Sequence, residues 1–245
     1  MLVAHPHGRC TFSPDSTSDV LIEGCYIRTG DDAIAIKAGE DEYGYGYGVG
    51  SHNITVRDCV LSSPCAAFAI GSEMSGGVSH VRVSNCRMWD STAAVHIKSG
   101  PGRGGFVRDV VLEQLQFDGA SEGFMIDLVS TPAVRHRSAT TLPSDADRCC
   151  QQDTNSHVPD DPTHHLNLSA MPQLRDIAAR HVTGTGSRLV ANMHGLPADE
   201  VLILNVTFDT VHFDSGNWSC SAVRGTFHDT VPTPCSDIAP IARQQ

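Results

Sequence analysis

The stretch VLIEGCYIRTGDDAIAIKAG, residues 20–39, holds two short alternating apolar runs parted by turn residues, and its landmarks recur along the chain. When VLIEGCYI, ITVRDCVL, VRVSNCRM, VVLEQLQF and IAARHVTG are aligned, Cys25, Cys59, Cys86, Leu115 and Val182 share one register. Eleven residues beyond each stands an apolar residue of a second run: Ile36, Ile70, Ile97, Ile126 and Met193. Successive units advance by 34, 27, 29 and 67 residues. Period-2 alternation marks each run as a strand. Units of this size cannot bury a face alone, so they stack. An antiparallel sandwich also has many short strands, but nothing in it requires a constant offset between two landmarks. The pattern predicts an all-β chain, a right-handed single-stranded parallel β-helix forming one domain over residues 1–245.

In such a stack equivalent residues of neighbouring coils lie about 4.8 Å apart. Cys25, Cys59 and Cys86 then form an inward ladder that Leu115 and Val182 continue, because a free cysteine packs as a small apolar residue. The long step contains STPAVRHRSATTLPSDADRCCQQDTNSHVPDDPTHH, which lacks alternation and reads as an excursion loop over about 128–170. Its adjacent Cys149 and Cys150 have no partner that the sequence reveals, and its His164 and His165 read as solvated. The segment 214–245 reads as a terminal tail, with Cys220 and Cys235 placed to form a bridge. The run EDEYGYGYGVG, with three of the four tyrosines, suits either a sugar-stacking surface or a hairpin tip.

A net charge of −11 at a pI near 5.5 argues against nucleic acid, which needs clustered cations. No apolar run approaches a membrane span, and MLVAHPHGRC lacks the apolar core of a secretion signal. Sequons at Asn53, Asn167, Asn205 and Asn217 suit a secreted chain that has lost its leader, so an extracellular or cell-wall location is expected. No pair among the 13 histidines has the spacing and context of a metal site, and no cofactor is expected.

Lys37 and Lys98 are the only lysines, and each directly follows an inward landmark, Ile36 or Ile97. They therefore belong to one outer strip, Lys37, Gly71, Lys98, Asp127 and His194. Asp31 and Asp32 stand at the head of the strand that carries Lys37. Two neighbouring carboxylates resist joint ionisation, which would leave one of them protonated and able to act as an acid. An ordinary acidic turn has the same residues.

PDSTSDVLIEGCYIRTGDDAIAIKAGEDEYG, AIGSEMSGGV and HIKSGPGRGGFVRDV occur here in the order and spacing of glycoside hydrolase family 28, and the chain resembles its plant-type and exo-type pectinases. The resemblance implies the β-helix and inverting hydrolysis of α-1,4-galacturonosyl bonds in polygalacturonate by a monomer. It implies Asp31 as general acid and Asp32 as its water-activating partner, with Lys98, His96, Arg103 and Lys37 binding uronate. His96 stands where the family has an arginine, so the fork-like contact of a guanidinium is lost. Gly8, Arg9 and Cys10 stand where the family carries an Asn-Thr-Asp, and Cys65 or Ala66 where it carries a histidine. The family's amino-terminal coils are absent from the sequence, so truncation is expected, and a pectin-binding protein without catalysis is the alternative. Glu73 is expected to be structural. The acid cluster that a calcium-dependent lyase would need does not stand out.

Overall fold

The computed structural model describes residues 12–128, 167–196 and 203–236. Gly8, Arg9, Cys10, Cys149, Cys150, His164, His165 and nearly all of the expected excursion lie outside them. Coil follows coil around two sheets. The first contains β1 (Ser18–Glu23), β4 (Ser51–Arg57), β7 (Val78–Trp89), β9 (Phe106–Asp118), β11 (Gln173–Thr185), β13 (Ile203–Phe213) and β15 (Val223–Val231), with the short β2 (Tyr26–Arg28) and β5 (Val60–Ser62) beside them. The second is ordered β3 (Ile34–Ile36), β6 (Ala66–Ile70), β8 (Ala93–Lys98), β10 (Glu122–Asp127), β12 (Leu189–His194) and β14 (Asn217–Ser221). All of these pairings are parallel, and the fold is a right-handed parallel β-helix.

Both landmark columns are observed. Ile36, Ile70, Ile97, Ile126 and Met193 pair in sequence across the second sheet, and Cys220 extends the column. Cys86, Leu115 and Val182 pair across the first. Backbone bonds from Val60 N to Cys25 O and from Arg87 N to Cys59 O add the earlier two cysteines. All three thiols are free; Cys59 and Cys86 are buried and Cys25 is half-buried.

A second regularity explains how the coil turns. The residue before each cysteine-column landmark has a positive φ: Gly24, Asp58, Asn85, Gln114, His181, Thr210 and Asp229, at 49–63° for all but Asp229, at 46°. Asp19, Asn53, His80, Asp109, Asp176 and Asn205 form a like column with φ between 52 and 59°. One left-handed residue turns a strand sharply, and Asn and Asp accept that conformation at less cost than most. Stacked side chains support the corners, with Asn85 Nδ2 donating to Asp58 Oδ1 and Asn205 Nδ2 to Asp176 Oδ1, each at 2.6 Å.

Two expectations need correction. Residues 217–231 do not form a tail: β14 and β15 add a further coil, because Trp218 and Phe227 pack on Phe208 and extend the aromatic core. Cys220 does bridge Cys235. The tyrosine run is no hairpin but the helix α1 (Asp41–Tyr47), capped by Gly48 at φ 69°. Gly44 and Gly46 are poor helix formers, which hid the helix from sequence reading. Arg103, reaching over from the loop before β9, bonds Glu40 and Asp41 at its start.

Candidate active site

The outer face of the second sheet has a floor of small residues, Ala35, Ala66, Ala69 and Ala93, with Met125 beside them. Asp31 and Asp32 lie at one edge of this floor, in the turn before β3. Ser63 Oγ donates to the Asp31 carbonyl at 2.5 Å, and the Asp32 amide donates to Asp31 Oδ1 at 2.7 Å. Asp32 is held at both oxygens: Oδ1 accepts the Ala66 amide and Oδ2 accepts Lys98 Nζ, each at 3.0 Å. The side chains of this ion pair are each 3% exposed. Burial pushes the Asp32 carboxyl up, but Lys98 above all, with His96 and Lys37, outweighs it and holds the group below its ordinary value. Asp32 is thereby held ionised.

The Asp31 and Asp32 carboxylates and Cys65 Sγ come within 4.8 Å of one another. Cys65 is disulfide-bonded and offers no thiolate, so this trio does not fit a cation.

Lys37, Gly71, Lys98, Asp127 and His194 do share one column, with Lys98, Asp127 and His194 paired directly. Gly71 is required there: its φ is 92°, and a Cβ would lie 2.1 Å from the Lys98 carbonyl oxygen. The open cationic strip that the spacing implies is not what forms. Lys98 is buried against Asp32, and Lys37 bonds Glu73. His96 Nε2 lies 2.9 Å from Asp127 Oδ2, both side chains 4% exposed. Arg103 NH1 bonds Glu40 and Asp41 at 2.7 Å, and its NH2 meets Ser72 Oγ at 3.3 Å. Burial pushes the Glu73 carboxyl up, yet Lys37 and then Arg103 bring it down to about 2.

Asp127 is the residue that sequence reading placed on the strip without a role. The available signal was its position one coil beyond Lys98, in register. Glu122, buried and bonded to Arg188 and by Asn192 Nδ2 at 3.0 Å, extends the polar face beyond it. His194 is held by Ser221 and Ser219, at 2.8 and 3.0 Å.

The model of glycosyl hydrolases family 28 matches residues 6–141, more than half of the chain. The chain belongs to this family. A probable polygalacturonase of Vitis vinifera is 29% identical over 231 residues, spanning 92% of this chain and 41% of its own. Among solved structures, a hyperthermoactive exopolygalacturonase of Thermotoga maritima matches at a TM-score of 0.68 with 21% identity, over 89% of this chain and 43% of that one. The family 28 exopolygalacturonase of Yersinia enterocolitica matches at 0.59 with 15% identity, over 94% and 38%. These likenesses show a shared fold. The chain spans about two fifths of each relative's length. Among the described residues, no helix is long and apolar enough to cross a membrane.

Proposed function

We propose that this chain, as one β-helix domain, hydrolyses galacturonosyl linkages of pectic polysaccharide with inversion. The observation that carries the reading is the buried Asp31–Asp32 pair, in which Lys98 from two coils away holds Asp32 ionised. Asp31 is the general acid. Its proton goes to the leaving glycosidic oxygen, while the negative charge of Asp32 stabilises the positive character of the sugar ring in the transition state. Lys98, Lys37 and Arg103 supply the positive groups that meet uronate, with His96 beside Lys98 on the same strand, and a uronate carboxylate competes with Glu73 for Lys37. The polygalacturonase names of the relatives support the substrate class. A polymeric wall substrate implies an extracellular protein, working as a monomer.

The test is release of reducing ends from polygalacturonate. Asp31→Asn abolishes it, because an amide has no proton to give at that step. Undiminished release by Asp31→Asn refutes the assignment of the acid. Binding of oligogalacturonate by the unmodified chain without any release means that the protein binds pectin and does not cleave it.

A further inference from the structure

Three free thiols stand in consecutive coils of the first sheet, and the proposed hydrolysis uses none of them. The bond from Val60 N to Cys25 O, with Tyr26 paired to Val60, places Cys25 beside Cys59. The bond from Arg87 N to Cys59 O, with Val60 paired to Arg87, places Cys59 beside Cys86. Leu115 follows Cys86 and ends the ladder. The three side chains point the same way, since each sulfur lies by the carbonyl two residues back: Cys25 by Glu23 at 3.4 Å, Cys59 by Arg57 at 3.1 Å and Cys86 by Ser84 at 3.2 Å. Neighbours in such a column have Cα atoms about 4.8 Å apart, inside the roughly 4.4–6.8 Å that a disulfide bridges.

The thiols differ in access and in acidity. Cys59 and Cys86 are buried in the core, whereas Cys25 is half-buried and follows the exposed Glu23 and Gly24. The Cys86 thiol, against the opposing effect of burial and with help from Cys25, brings the Cys59 thiol down to about 6. An accessible sulfur thus adjoins one that ionises readily, the combination on which thiol–disulfide exchange depends.

We infer that Cys25 and Cys59 are an oxidation site, at which a small organic disulfide converts two free thiols into a cross-link between neighbouring coils. The Cys25 thiolate attacks one sulfur of the disulfide RSSR, forming a mixed disulfide with SR and releasing RS⁻, which takes up the Cys25 proton. The Cys59 thiolate then attacks the Cys25 sulfur, the bond to SR breaks, and the second RS⁻ takes up the Cys59 proton. Two protein thiols are oxidised and one RSSR is reduced to two RSH. Cys86, enclosed between Cys59 and Leu115, keeps its thiol. The new bond ties the coil that carries the Asp31 and Asp32 turn to the coil after it. It belongs to the first sheet and is independent of what the second sheet hydrolyses.

The experiment incubates the folded chain with excess oxidised glutathione, blocks the remaining thiols with N-ethylmaleimide in denaturant, and maps the peptides by mass spectrometry. Proteases that cut after Glu23 and Leu61 separate Cys25 and Cys59 from Cys10 and Cys65. The expected map has Cys25 linked to Cys59 and N-ethylmaleimide on Cys86. Cys86→Ala still forms the link, and Cys25→Ala leaves Cys59 alkylated and free of glutathione, because its burial shields it. Cys25 and Cys59 lie 34 residues apart, so the link should raise the thermal midpoint of the unmodified chain by about 5–15 °C and leave that of Cys25→Ala unmoved. Glutathione retained on Cys25 beside an alkylated Cys59 overturns the inference, as do N-ethylmaleimide on both, a link from Cys59 to Cys86, or a linked chain whose midpoint does not rise. If Cys25→Ala fails to fold, the map of the unmodified chain decides alone. No step reads activity on polygalacturonate, so an inactive chain removes the hydrolase reading and leaves the cross-link standing.

Discussion

Replacing Lys98 by methionine keeps an unbranched side chain of similar length and removes its charge. In the structure that charge neutralises Asp32, and each side chain of the pair is 3% exposed. Removing one partner of a buried pair leaves an uncompensated charge, at a cost of about 3–5 kcal/mol. For a chain of this size each kcal/mol moves the unfolding midpoint by about 2–4 °C, so the variant should melt roughly 10 °C lower near neutral pH. The pH dependence separates this from lost packing. In the native chain the Asp32 carboxyl lies below its ordinary 3.8, so its contribution is present above that value and fades as pH falls through the folded one. In Lys98→Met the burial that favours the neutral acid loses its main opponent, and Asp32 takes up a proton at a higher pH. The stability gap between the two proteins should be widest at about pH 7 and narrow toward about pH 4. Urea unfolding followed by circular dichroism at both values reads it. A gap under about 1 kcal/mol at neutral pH, or one that does not change with pH, refutes the reasoning.

Gly71→Ala should destabilise the chain by more than about 1 kcal/mol, because φ is positive there and a Cβ would meet a backbone oxygen at 2.1 Å. Unchanged thermal unfolding contradicts this. Asn85→Val forces a β-branched residue to φ 49° and removes the bond to Asp58, so a loss of about 1–3 kcal/mol is expected in urea unfolding, with Asn85→Gly losing less. Glu73→Gln should flatten the acid side of the stability profile. The folded carboxyl sits at about 2, so the native contribution is present above the ordinary 4.5 and is lost as pH falls through about 2. Profiles that coincide over that window would show that the Lys37 bridge contributes nothing.

How much of the site the sequence reveals depends on how each residue reaches it. Asp31, Asp32, His96 and Lys98 sit at fixed offsets from landmarks of the repeat, so their common face follows from counting. Asp127 was equally countable, one coil past Lys98, but nothing in its neighbourhood, GFMID, marks it as chemically different from a surface acid. Glu40, Asp41 and Glu73 belong to connections between strands, where no period applies, and their pairing with Arg103 and Lys37 joins residues 36–63 positions apart. The helix of the tyrosine run was hidden for the same reason. Its glycines argue against it, and the distant Arg103 bonds Glu40 and Asp41 at its first turn.

The sequence by itself determined the coil: two landmark columns with a constant offset. That information is local, since one turn of a parallel β-helix repeats the same side-chain orientation in each coil. Only the tertiary structure decided which charges meet. The depth at which Lys98 lies, the engagement of both Asp32 oxygens, and the tie between His96 and Asp127 depend on side chains from separate coils stacked about 4.8 Å apart. The balance between their burial and their mutual attraction is a property of that stack, and no single stretch of sequence contains it.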